Sequence, residues 1–175
     1  MGGLQTRSSG DPYRLGYRWT IEGPIDTVFH FVSDARTFTE WFFVFKDVRP
    51  DDPTGPLQVG SHARCRVKAA LPYVLDWDIT VAKLDAPHVI ETDCRVTLAG
   101  RFPLTGYVRY RFEDSGALVT VINEQELQAE RPLPGLLHPL AQTIFQFNHD
   151  WAMARAQGPL QQIVRRARAQ EQGPR

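Results

Sequence analysis

An amide and a guanidinium on one apolar helical stripe are the groups in this sequence best placed to do chemistry. Between Pro139 and Gln157 the residues Leu140, Ile144, Phe147, Trp151 and Ala154 recur at the spacing of one helical face. At about 100° per residue, Asn148 falls about 40° and Arg155 about 20° from Ile144. Turned inward, these two donors could hold and polarise a carbonyl or enolate oxygen on a hydrophobic molecule. The competing explanation is structural, since a buried amide or guanidinium needs a partner in any case. Asn148 would then bond a backbone group of the short helices after the first strand, and Arg155 would pair with an acid such as Glu40 or snorkel to a rim.

The helix needs a sheet beneath it, and the preceding residues supply one. Tyr13–Glu22 alternates Leu15, Tyr17, Trp19 and Ile21 with polar neighbours, which predicts a first strand. Gly23-Pro24 ends it, and Pro24 suits the first position of a helix over Ile25–Ser33 with Asp26 in its first turn. Asp34 is placed to cap a second short helix, Ala35–Phe42. The proline-rich stretch Lys46–Val59 reads as a connection.

Five further strand-like runs follow, at Ser61–Ala69, Tyr73–Leu84, His88–Leu98, Leu104–Glu113 and Ala117–Ala129. Their short links dictate an antiparallel meander, because parallel strands need a long crossover. Alternation puts Ala63, Cys65, Val67, Trp77, Ile79, Val81, Ile90, Thr92, Cys94, Val96, Val108, Tyr110 and Phe112 on the inner face. Pairing Phe112 with Val119 would turn Val119, Val121, Asn123 and Gln125 inward too. On the outer face Arg66 meets Asp76, Arg64 meets Asp78 and Asp93 meets Arg109, a solvated charged surface rather than a catalytic cluster. The loop Glu130–His138 carries Leu133, Leu136 and Leu137 and is placed to lid a pocket mouth. Gly158-Pro159 should break or kink the last helix, leaving Leu160–Gln170 as a separate basic segment.

The inner face offers Trp41, Trp77, Tyr110 and Trp151 for packing or for stacking on a ring-shaped ligand. Ile79, Thr92, Val108 and Ile144 would complete the wall, and Tyr110 and Thr92 would add polar atoms. Cys65 and Cys94 should be small core residues about 10 Å apart, two strand spacings, without a histidine to activate either thiol. His149 and Asp150 fall off the apolar stripe and, as neighbours on a helix, do not form a dyad. His30, His62, His88 and His138 share no metal spacing with a carboxylate, so no metal is expected. No phosphate loop or nucleophile elbow is present, so no cofactor is expected.

Composition sets the remaining bounds. The 175 residues fit one domain, and Lys plus Arg equal Asp plus Glu at 20 each, which gives no reason to expect a nucleic acid partner. No apolar run approaches the roughly 20 residues of a membrane span. Residues 1–12 read as a disordered leader, 13–170 as a single domain and 171–175 as a flexible tail. Without a secretory signal or disulfide framework, a cytoplasmic location is expected.

The element order is that of a helix-grip α+β protein: a curved antiparallel sheet around a long C-terminal helix, with two short helices after the first strand. IEGPIDTVFHFVSDARTFTEWFFVFKDV, residues 21–48, resembles the opening segment of START-like proteins, the SRPBCC superfamily, through Pro24, Val28-Phe29, Asp34 and Trp41. VGSHARCRV, residues 59–67, looks like the opening of their second strand, and FNHDWAM, residues 147–153, is similar to the C-terminal helix of bacterial polyketide cyclase/dehydrase-type members. The resemblance spans residues 13–170. It implies a ligand held between sheet and C-terminal helix. It leaves open a cyclase or dehydratase, a non-catalytic carrier or sensor of a lipid or aromatic metabolite, and a peptide-binding interaction module.

Overall fold

A computed structural model describes residues 11–98, 100–130 and 137–171, with backbone alone at 137–139 and 171. Seven antiparallel strands form one open curved sheet in the order β1-β7-β6-β5-β4-β3-β2. They are β1 (Tyr13–Glu22), β2 (Phe45–Pro50), β3 (His62–Val67), β4 (Leu75–Asp85), β5 (Val89–Leu98), β6 (Phe102–Asp114) and β7 (Leu118–Ala129). Between the two edge strands run α1 (Ile25–Ser33), a 3₁₀ turn (Ala35–Thr37) and α2 (Phe38–Trp41). The last element is α3 (Leu137–Glu171). This is the helix-grip arrangement that the pattern of apolar residues predicts.

The meander follows from its short links, and its inner face from alternation. Arg64 pairs with Asp78 and Arg66 with Asp76. Two expected pairs lie elsewhere. Asp93 faces Tyr107, while Arg109 faces Glu91 and bonds it at 2.6 Å. Phe112 pairs with Val121 rather than Val119. A slip of two residues keeps every side chain on its own face, so Val119, Val121, Asn123 and Gln125 are still buried.

The stretch read as a connection holds all of β2 but its first residue; the strand pairs with β3 from Phe45 to Pro50. Pro50 ends that strand at the sheet edge, where a missing N–H is tolerated. The second short helix divides into the 3₁₀ turn and α2, with the Asp34 carboxylate accepting from the Arg36 N–H at 3.0 Å.

α3 does not break at Gly158-Pro159; it runs unbroken for 35 residues. An internal proline removes one helical hydrogen bond and costs about 3 kcal/mol. Packing and side-chain bonds on both sides of it offset that cost. Ala156, Leu160 and Val164 are fully buried on one face. Gln157 Nε2 donates to the Thr20 carbonyl, and Gln161 bonds both backbone groups of Glu22. Gly23 has φ +151°, and a Cβ there would strike Val164, so this turn between β1 and α1 needs glycine.

The expected buried stripe of α3 is rotated. Leu140 and Phe147 are each 56% exposed, and Ile144 and Ala154 are also exposed. The face against the sheet is instead Asn148, His149, Ala152, Met153, Ala156, Leu160 and Val164. Small Ala152 and Ala156 let the helix backbone approach β1, where Trp19 Nε1 donates to the Met153 carbonyl at 2.8 Å. At Gly106 in β6, a Cβ would collide with the backbone carbonyl of Glu126 on β7, so these strands pass at a distance only glycine allows.

Candidate ligand cavity

Beneath α3 the sheet encloses a cavity of about 490 Å³. Its wall is chiefly apolar: Trp77, Ile79 and Val108 from the central strands meet Phe145, Ala152 and Met153 from α3. The volume falls within the roughly 300–1,000 Å³ usual for small-molecule sites. At one end lie the 3₁₀ turn and the β2–β3 loop, with Leu57 and Val59 among the lining residues.

Polar groups gather where β6 and β7 face α3. Asn123 stands opposite Tyr110 in register, and Gln125 opposite Val108. The Asn123 Oδ1 accepts from Gln125 Nε2 at 3.3 Å and lies 3.0 Å from His149 Nε2. His149 Nδ1 lies 3.2 Å from Asp150 Oδ1, which also accepts from Gln146 Nε2 at 2.8 Å. Gln125, His149 and Tyr110 all line the cavity. Burial lowers the His149 pKa more strongly than the neighbouring Asp150 carboxylate raises it, which favours the neutral imidazole, whose single N–H serves only one of its two oxygen neighbours. Burial raises the Tyr110 phenol, which therefore keeps its proton as a donor.

The residues singled out in the sequence divide into two groups. Tyr110, Asn148, Trp77, Ile79, Thr92 and Val108 all line the cavity. Asn148 is 8% exposed, and its Oδ1 accepts from the Leu71 N–H at 3.4 Å rather than from the short helices. Thr92 Oγ1 donates to the Val108 carbonyl at 3.4 Å. Among the described residues, the Trp77 Nε1 is buried without a partner.

Arg155 does not reach the cavity. It is exposed, and its guanidinium stacks 4.4 Å from the Trp151 ring, on the outer side of α3. Trp151 packs against Phe43 and is absent from the cavity wall, as is exposed Ile144. Trp41 is buried, donates to the Phe31 carbonyl at 3.0 Å and packs edge-on against Trp19, so it is core. Cys65 and Cys94 are also buried outside the wall, with thiols pushed up to about 12 by burial and by neighbouring aspartates.

His149 is the cavity residue that the apolar stripe misplaces. The turned face of α3 puts it inside, 8% exposed, and makes Asp150 its bonded neighbour. The signal that could have found it is the run of small residues Ala152 and Ala156, three and seven positions on. The proposed lid falls largely on residues 131–136, outside the described residues.

One side of the cavity is fastened by Arg36. Its Nε and Nη2 bond the Asp34 carboxylate, the latter at 2.6 Å, and its Nη1 donates to the Pro53 and Gly55 carbonyls at 3.2 and 2.8 Å. Burial alone would raise the Asp34 pKa. The hydrogen bonds and charge of Arg36 outweigh it, and the net shift is downward. Among the described residues no three His, Cys, Asp or Glu side chains form a group able to hold a metal, and no helix is long and apolar enough to cross a membrane.

No protein-family model matches the sequence, and no curated protein matches it. Solved structures do match in fold. The Zhui aromatase/cyclase from Streptomyces sp. R1128 superposes with a TM-score of 0.69 at 14% identity, over 89% of this chain and 94% of its own. An uncharacterized protein from Rhizobium leguminosarum gives 0.62 at 14% identity, over 87% and 96%. A protein of the dynemicin biosynthetic locus gives 0.50 at 15% identity, over 87% of this chain and 47% of its own. Identities this low establish shared architecture alone. The chain therefore has the helix-grip fold, in common with an aromatase/cyclase and with conserved bacterial proteins of the same build.

Proposed function

We propose that the chain binds a hydrophobic, ring-bearing small molecule between sheet and α3, and that it promotes cyclisation or dehydration of a polyketide-like substrate there. The observation that carries this reading is the cavity of about 490 Å³, apolar along its wall and lined by neutral polar groups where β6 and β7 meet α3. In this role Tyr110 and Asn148 donate hydrogen bonds to the oxygen of a substrate carbonyl as its α-carbon gives up a proton to water and it becomes an enolate. The apolar wall folds the chain so that the nucleophilic carbon and its target carbonyl meet. The geometry of Arg155 removes it from this set and brings in His149 and Gln125 as the neutral polar neighbours of the substrate.

The fold shared with an aromatase/cyclase supports the reading without specifying a substrate. A carrier would need the same cavity and no turnover. Native mass spectrometry of protein purified from its own host should show a co-purifying apolar molecule. Incubation with a poly-β-carbonyl thioester then separates enzyme from carrier: water loss faster than in buffer marks turnover, and binding without water loss marks a carrier. No retained molecule and no binding of any aromatic probe would overturn both.

A further inference from the structure

We infer that the cavity selects neutral ring compounds carrying carbonyl or phenol oxygens and rejects those bearing a free carboxylate. This rests on the ligand-cavity reading above and narrows its substrate class. Among the described lining residues the charged side chains are Asp34, Arg36, Asp51 and Asp52, besides two histidines. Three carboxylates thus face one guanidinium. That guanidinium is committed, since Arg36 places Nε and Nη2 on Asp34 and Nη1 on two loop carbonyls. Among the described residues, no lining Arg or Lys is left to receive an anionic headgroup.

Asp34 and Asp52 remain charged at neutral pH. The Asp52 pKa is lowered by N–H bonds from Gly55 and Thr54, and the Asp34 pKa by Arg36, which outweighs the effect of burial. Asp51 sits 2.9 Å from His62 Nδ1 and 3.8 Å from the Arg64 guanidinium. A ligand carboxylate passing this end meets like charge, and farther in it would be desolvated without a counter-ion.

The wall does supply neutral donors. The Trp77 indole N–H is buried without a partner among the described residues. The Asn148 amide uses its oxygen on Leu71, which leaves its Nδ2 hydrogens for a ligand. Tyr110 keeps its phenolic proton because burial raises its pKa. Such donors match the carbonyl and phenol oxygens of a fused-ring polyketide, which a saturated fatty chain lacks.

The test is tryptophan-fluorescence and calorimetric titration of the full chain, at low salt, with two probes of the same ring system. One is a dihydroxyanthraquinone bearing a ring methyl; the other has a carboxylate in place of that methyl. The methyl compound should bind at least about tenfold more tightly, and the gap should narrow in Asp51→Asn/Asp52→Asn. Equal or tighter binding of the carboxylate would overturn this inference and leave the cavity reading standing. Binding of neither probe would overturn both. Palmitate serves as a third probe, and binding as tight as the methyl compound would also overturn the inference.

Discussion

Trp19 on β1 and Met153 on α3 are joined by a hydrogen bond from the indole N–H to the helix carbonyl, 2.8 Å long and buried. The same indole packs edge-on against Trp41 and stacks on Tyr110 with ring centroids 6.3 Å apart. One side chain therefore ties together the edge strand, the long helix, the short helices and the cavity wall.

Trp19→Phe keeps much of the ring and loses the N–H. The lost bond and the smaller ring together should cost about 1–3 kcal/mol. Urea denaturation would measure this as a lower midpoint with an unchanged slope. An unchanged midpoint would mean that the helix is held by its aliphatic face alone.

His149 sets a pH dependence. Its pKa is lowered on folding from an ordinary value of 6.5, so the unfolded chain binds the proton more readily than the folded one. The contribution of the neutral imidazole is full above about pH 6.5 and is lost as the pH falls below it. Melting temperature should drop between neutrality and about pH 5 in the parent protein, and less so in His149→Gln. Equal slopes in the two proteins would show that other groups govern the window.

Val108 lines the cavity from β6 and is buried. Val108→Phe should grow into the empty volume. Overpacking a filled core costs about 1–3 kcal/mol, whereas here the extra ring has room and stability should change by less than that. Affinity for an aromatic probe should fall at least about tenfold. Strong destabilisation with binding retained would mean that the side chain meets packed atoms.

Cys65 and Cys94 should be silent toward a thiol reagent at pH 8, because both are buried and their thiols are pushed up to about 12. Two equivalents should react after denaturation. Rapid reaction of either residue in the folded protein would reveal opening of the sheet edge on the timescale of the assay.

Arg36→Ala would strand the Asp34 carboxylate and release the loop at Pro53 and Gly55. Losing one partner of a buried pair costs about 3–5 kcal/mol, and less here because the Arg36 side chain is 32% exposed. Faster amide exchange across residues 51–61 and faster ligand release are the expected readings. Protection equal to that of the parent would show the loop to be held by its own turns.

Much of this architecture can be read from the chain, and the misreadings have physical causes. Alternation recovers the inner face of the sheet because a strand has period two, and the two-residue slip at Phe112 leaves every face unchanged. β2 escapes because prolines and aspartates mask a strand whose stability comes from pairing with β3. The face of α3 is misjudged because Leu140, Ile144 and Phe147 form the bulkier stripe, whereas close approach to β1 requires Ala152 and Ala156. That rotation exposes Arg155 and buries His149. Pro159 misleads because local propensity yields to the buried residues on either side of it.

Gly106 carries one more implication. It is absent from the cavity wall, yet the meeting of β6 and β7 there tolerates no methyl group. An alanine would have to pry the strands apart or flatten the curve they share, and the chamber's dimensions would change with either. In the proposed binding role, selectivity for a guest would thus be retuned from a position the guest never touches, through an atom the chain leaves out.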